Sequence, residues 1–140
     1  MRYHEFVEQV QQEGGFDSQD EALNAIEATL SSLGECLYRT ERRHLASQLP
    51  KPFEEALYEY VDSEVTRQGA ACLSLQEFYD RVGARADVTR GVAIEQANAV
   101  TAVLERVLPE GEWRHIILEM PKAYHGLLSA ESDERTPSSP

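Results

Sequence analysis

Cysteine is nearly absent from this chain, and so is any long apolar run. Two cysteines stand in 140 residues, Cys36 and Cys72, and they form no Cys-x-x-Cys pair. That excludes a disulfide-dense secreted scaffold and a cysteine-built zinc site. In a cytosolic chain both thiols read as small buried apolar residues, so no disulfide is expected, and with no activating neighbour no redox role is expected either. No apolar stretch approaches the roughly 20 residues that span a bilayer. The opening, MRYHEFVEQVQQEGG, carries acidic residues and no apolar core, unlike a signal peptide. The expectation is a cytoplasmic protein with no membrane insertion. Glycine is also scarce, at eight residues, and no run of glycines can cradle a phosphate. The chain has no G-x-x-x-x-G-K-[ST], no G-x-G-x-x-G, no G-x-S-x-G and no calcium-loop pattern. These absences weigh against catalysis. They point to a protein that is not an enzyme and has neither a cofactor nor a metal.

Positive charge is short as well. Thirteen Lys and Arg face 25 Asp and Glu, for a net charge of −12 and a pI of about 4.7. Such a surface repels phosphate backbones and anionic lipid, so no nucleic-acid partner is expected. The one basic cluster is Arg39, Arg42, Arg43 and His44, interleaved with Glu41. It is too small and too mixed to overcome the net charge. The surface suits solubility and a basic protein partner.

What the chain does have is repetition. Leu33, Leu37, Glu41, Arg43, His44 and Pro50 recur as Leu104, Leu108, Glu112, Arg114, His115 and Pro121, at a shift of 71 residues. Tyr3, Phe6, Val7 and Val10 recur as Leu75, Phe78, Tyr79 and Val82, at a shift of 72. A fixed-period echo marks a duplicated structural unit. The expected units are residues 1–68 and 69–128, followed by a tail, 129–140. Each unit is near the lower size limit for folding alone, so the two are expected to share a core about a pseudo-twofold axis. The tail, SAESDERTPSSP, is polar and poor in apolar residues and reads as disordered.

Apolar residues recur at helical spacing throughout. Tyr3, Phe6, Val7 and Val10 form one stripe, stopped by Gly14-Gly15. Ser18 with Glu21 reads as a capping box: the hydroxyl takes the Glu21 amide and the carboxylate returns to the Ser18 amide. It opens a stripe of Leu23, Ile26, Leu30, Leu33 and Leu37. Thr40 can cap a short helix bearing Leu45 and Leu49, which Pro50 ends. Pro52 suits the first turn of a fourth helix, whose face is Phe53, Ala56, Leu57, Tyr60, Val61 and Val65. Gln68-Gly69 closes it. Ser74 and Glu77 form a second capping box, ahead of Leu75, Phe78, Tyr79 and Val82. A long helix follows with Ile94, Ala97, Leu104 and Leu108, and Thr101 stands where the first unit has Leu30. Pro109-Glu110-Gly111 makes a turn. Short helices then carry Ile116, Ile117 and Met120, followed by Tyr124, Leu127 and Leu128. No segment alternates as a strand would. The fold class is all-α: two tandem helical repeats of about four helices each, packed as an orthogonal array or bundle.

The stretch LGECLYRTERRHLASQLPKPF resembles a family known only as domain of unknown function 2267. The residues that carry the likeness are Leu33, Leu37, Glu41, His44, Leu45, Gln48, Leu49 and Pro50. The second copy, LPEGEWRHIILEMPKAYHGLL, resembles the second half of two-copy members. It departs from them at Glu119-Met120-Pro121, with Trp113 and Ile117 on the short helix. The resemblance implies an all-helical fold and supplies no catalytic residues.

Candidate functional residues follow from the duplication. His44 and His115 are equivalent, and a pseudo-twofold could bring them together. Two imidazoles could begin a metal site, but zinc normally takes four ligands and nothing nearby in sequence supplies the rest. The competing reading is that each histidine bonds a carboxylate or a helix end. Glu41 with Arg43, and Glu112 with Arg114, form a second duplicated set. The glutamates suit a helix first turn, and each arginine could bridge to the other unit's glutamate. Trp113 stands where the first unit has Arg42; it is either core or a binding hot spot. Tyr58 is out of phase with its helix and is expected to be exposed. The leading expectation is a non-catalytic helical protein–protein interaction or adaptor module. The alternative is a small molecule, cofactor or metal held between the repeats near His44, His115 and Trp113. Self-association into a homo-oligomer through an exposed apolar stripe is a third expectation.

Overall fold

The apolar stripes become helices, and small polar or glycine residues decide where each one starts and stops. The computed structural model describes residues 2–61 and 74–128. Among these residues every regular element is helical and no strand occurs. No described helix is long and apolar enough to cross a membrane.

Helix α1 spans Tyr3–Gly14 and buries Phe6, Val7 and Val10. Gly15 follows at φ 65°, a left-handed conformation that glycine adopts without a Cβ clash. Helix α2 spans Gln19–Cys36 and is capped by Ser18, whose hydroxyl accepts from the Glu21 amide at 3.2 Å. The return arm of the capping box is displaced by one residue. Glu21 Oε1 accepts from the amide of Asp17 at 3.1 Å, not from Ser18. Helix α3 spans Arg39–Ala46 and α4 spans Lys51–Ala56. Helix α5 spans Leu75–Ala86, with Ser74 accepting from the Glu77 amide at 3.1 Å. Helix α6 spans Arg90–Val107 and is capped by Thr89. Helix α7 spans Glu112–Leu118, and a 3₁₀ helix covers Lys122–Leu127.

The four longer helices form a bundle. α1 packs on α2 and α6, α5 packs on α2 and α6, and α2 also meets α6. The short helices pack around them: α4 lies on α2, α7 on α6, and α3 touches α7. Buried side chains from both halves join one core, in which Phe6, Leu33 and Phe53 share a cluster with Phe78, Leu104 and Trp113. One contact is unusually close. A Cβ on Gly34 would lie 1.8 Å from the carbonyl oxygen of Leu57, so glycine lets that backbone press directly onto α2.

Three local expectations are corrected. Thr40 does not cap α3; the helix starts at Arg39, after an extended Tyr38 whose side chain makes no capping bond. The fourth helix stops at Ala56 and turns follow, so the 3.6-residue phase no longer governs Tyr60. Tyr60 is 38% exposed rather than core. The Arg85 guanidinium sits 3.7 Å from its ring centroid, a cation–π contact. Leu23 packs against the core cluster as its stripe predicts, while remaining partly buried. Cys36 is buried as expected but is disulfide-bonded rather than a free thiol. Spacing along the chain does not decide such a bond; proximity in space does. The second cysteine, Cys72, lies outside the described residues. So do Val65, the boundary at Gln68-Gly69 and the tail from Ser129.

Candidate functional site

The duplicated polar motif sits on the short helices. α3 carries Glu41 in its first turn and Arg43 and His44 in its last; α7 carries Glu112 in its first turn and His115 in its last. Each carboxylate therefore faces the positive end of its helix dipole, and each imidazole lies near the negative end. Because α3 touches α7, the two equivalent histidines meet. Their ring centroids are 6.2 Å apart with an interplanar angle of 72°.

Glu112 pairs with one of them: its Oε2 contacts His44 Nε2. The cross-half partner of this glutamate is thus His44, not Arg43. Side-chain exposure is 41% for His44 and 18% for Glu112, so the pair is half open to water. Arg43 and His115 are exposed, while Glu41 and Arg114 are partly buried. Among the described residues, no group of three or more His, Cys, Asp or Glu is arranged to hold a metal ion.

Trp113 is 1% exposed. With Ile116 and Ile117 it forms the buried face of α7, at i, i+3 and i+4 spacing. Its Nε1 donates to the carbonyl of Leu127 at 3.4 Å, which ties α7 to the 3₁₀ helix. Of the two readings of Trp113, core and binding hot spot, its burial favours the first: it is a core anchor beneath the site. Tyr58 is 40% exposed, in the turns after α4.

Arg42 is the residue that sequence reasoning missed. Sequence groups it with the basic cluster of Arg39, Arg43 and His44, yet it is 2% exposed. Its Nε donates to the carbonyl of Gly34 at 2.5 Å and its Nη2 to that of Leu37 at 3.0 Å. Those carbonyls end α2, where helical partners run out, so they are free to accept the donors of the buried guanidinium. Burial pulls the Arg42 pKa below the usual arginine value; Tyr58 opposes that fall and Arg39 adds to it. A signal was present. Arg42 is the repeat equivalent of Trp113, and a position filled by tryptophan in one half is a candidate for burial in the other.

Two grooves lie near these elements. One, of about 530 Å³, is lined by Leu108, Trp113 and the charged residues Glu105, Arg106, Glu110 and Arg114. All of its lining comes from the second half. A smaller one, of about 300 Å³, does bridge the halves: Glu13 of α1 faces Asn98, Thr101 and Glu105 of α6 and Leu127 beyond them.

No curated protein matches the chain. The family described as an uncharacterised conserved protein, DUF2267, matches residues 3–127. That span takes in both halves and every helix described above, and the chain belongs to this family.

Proposed function

We propose that the chain is a non-catalytic helical interaction module that binds a protein partner through the surface formed by α3 and α7. The supporting observation is the meeting of His44 and His115, which merges the duplicated helices of the two halves into one face. On these elements Arg43, His44, His115 and Leu118 lie open or half open, Leu118 at 41% exposure, and Tyr38, at the residue before α3, is 38% exposed. Exposed apolar side chains among positioned polar ones are what a partner surface offers. Trp113 and Arg42 anchor the two helices from below.

The experiment is mass spectrometry of the untagged complex, purified gently from the native host, alongside an Arg43→Glu/His115→Glu variant. A stoichiometric protein partner that the variant loses, with its thermal unfolding unchanged, supports this reading. A partner retained by the variant overturns the placement on α3 and α7. The second reading is small-molecule binding in the groove beside Trp113, favoured by its volume of about 530 Å³ and its mix of Arg106, Arg114 and apolar lining. A bound small molecule without a protein partner would establish that reading in place of the first.

A further inference from the structure

The two halves of the chain grip each other with ion pairs of opposite sense. Glu35 on α2 is 6% exposed. Its Oε1 lies 2.9 Å from Arg81 Nη1 and 2.5 Å from Arg85 Nη2, both on α5. Arg85 also donates to Ser32 Oγ at 3.1 Å, which holds it against α2. On the other flank of the bundle, Arg106 on α6 reaches α1. Its Nη1 donates to Glu13 Oε1 at 2.9 Å and its Nη2 to Gln9 Oε1 at 3.3 Å.

These two contacts correspond residue by residue. The 71-residue shift carries Glu35 onto Arg106, and the 72-residue shift carries Gln9 and Glu13 onto Arg81 and Arg85. The same helix-to-helix contact is built twice, with the charges exchanged. In one copy the longer helix supplies a carboxylate against two cations. In the other it supplies a cation against a carboxylate and an amide.

A half paired with a copy of itself would place like against like. Two first halves would set Glu35 against Gln9 and Glu13. Two second halves would set Arg106 against Arg81 and Arg85. A charge as buried as Glu35 is strongly unfavourable without its cations. We propose that Glu35 and Arg106 are the specificity residues of the interface between the halves: each half accepts the other and rejects a copy of itself. A duplicated sequence has particular need of such a device, because its two halves retain related surfaces and would otherwise pair indiscriminately between chains.

The test uses the full chain. Glu35→Arg with Arg106→Glu reverses both contacts, so the halves repel within a molecule and become complementary to their own copies in another. The expected result is a fall in Tm of more than about 10 °C. Sedimentation should also show more concentration-dependent association than the native chain shows under the same conditions. A neutral control, Glu35→Gln with Arg106→Gln, should lose less stability and gain no association. Adding Arg81→Gln and Arg85→Glu to Glu35→Arg should recover most of the stability that Glu35→Arg alone removes. If the reversed variant is no less stable than the neutral control, or shows no more association, the proposal fails. Should the reversed variant not fold, the rescue variant decides: recovery supports the proposal, and stability no better than Glu35→Arg alone overturns it.

Discussion

Gly34→Ala offers a decisive check on the packing, because two opposing effects can be weighed in advance. In a free helix the substitution is favourable by about 1 kcal/mol, since alanine loses less backbone entropy than glycine. Here the added Cβ would lie 1.8 Å from the Leu57 oxygen, 2.6 Å from its carbonyl carbon and 2.8 Å from its Cα. Ordinary carbon–oxygen contacts are about 3.3 Å or longer, so the backbone at Leu57 must retreat by roughly 1.5 Å. That backbone cannot swing aside as a side-chain tip would, and Leu57 is itself fully buried. Overpacking of this kind costs about 3 kcal/mol. Disturbing the charged bond from Arg42 to the Gly34 carbonyl adds about 1.5 kcal/mol. The net expectation is a loss of about 3.5 kcal/mol, or roughly 10 °C in Tm for a chain of this size. Urea and thermal unfolding would measure it. Gly91→Ala is the matched control: no atom lies within 4 Å of its added Cβ, and it sits in the first turn of α6. It should be neutral or stabilising by a few tenths of a kcal/mol. A Gly34→Ala protein as stable as the native one would refute the close approach of Leu57 to α2.

Three further outcomes are expected. Arg42→Met keeps most of the stem and removes the donors to Gly34 and Leu37; it should cost about 2 kcal/mol by urea unfolding, whereas substitution of a surface arginine would cost little. Tyr124 has its pKa pushed up to about 12, first by burial, then by Glu77 and Tyr38, with Arg81 opposing. The unfolded chain loses this proton near pH 10 while the folded chain keeps it, so stability should be intact below about pH 10 and fall as pH rises toward 12. Burial moves Tyr79 in the same direction. Urea midpoints across that range should fall less steeply in Tyr124→Phe, and an unchanged slope would show that Tyr124 does not contribute. Trp113 is the single tryptophan, so native fluorescence should resist acrylamide and become quenchable only on unfolding; equal quenching in both states would contradict its burial.

Periodicity and capping carried most of the architecture because both act locally. The stripes of α1, α2, α5 and α6 are readable from i, i+3 and i+4 spacing, and Ser18 and Ser74 mark two helix starts from neighbours three residues away. Tyr60 escaped for the same reason. Its phase was counted along a helix that ends at Ala56, and the Arg85 guanidinium that takes its ring comes from the other half of the chain. Cys36 escaped likewise, since its bond depends on what lies near it in space.

Charged residues were the harder class. A guanidinium in sequence suggests solvent, but its burial depends on which carbonyls or carboxylates converge on it. Arg42 is buried because α2 ends where its guanidinium can reach Gly34 and Leu37. Glu35 is buried because two arginines of α5 converge on one oxygen. The convergence on Glu35 is not visible within the first half alone, because both arginines come from α5. The partners of Arg42 lie five and eight residues before it and become apparent only once α2 is seen to end there. The duplication makes both legible through comparison. Where equivalent positions hold Arg42 and Trp113, the position is interior and each half satisfies it differently. Where they hold Glu35 and Arg106, the position is a contact and the halves are complementary. Where they hold His44 and His115 unchanged, the two residues have met each other across the junction, and Glu112 is the group that breaks the symmetry by choosing His44. In a chain with such an echo, a changed residue at an equivalent position thus separates packing, as at Arg42 and Trp113, from pairing, as at Glu35 and Arg106.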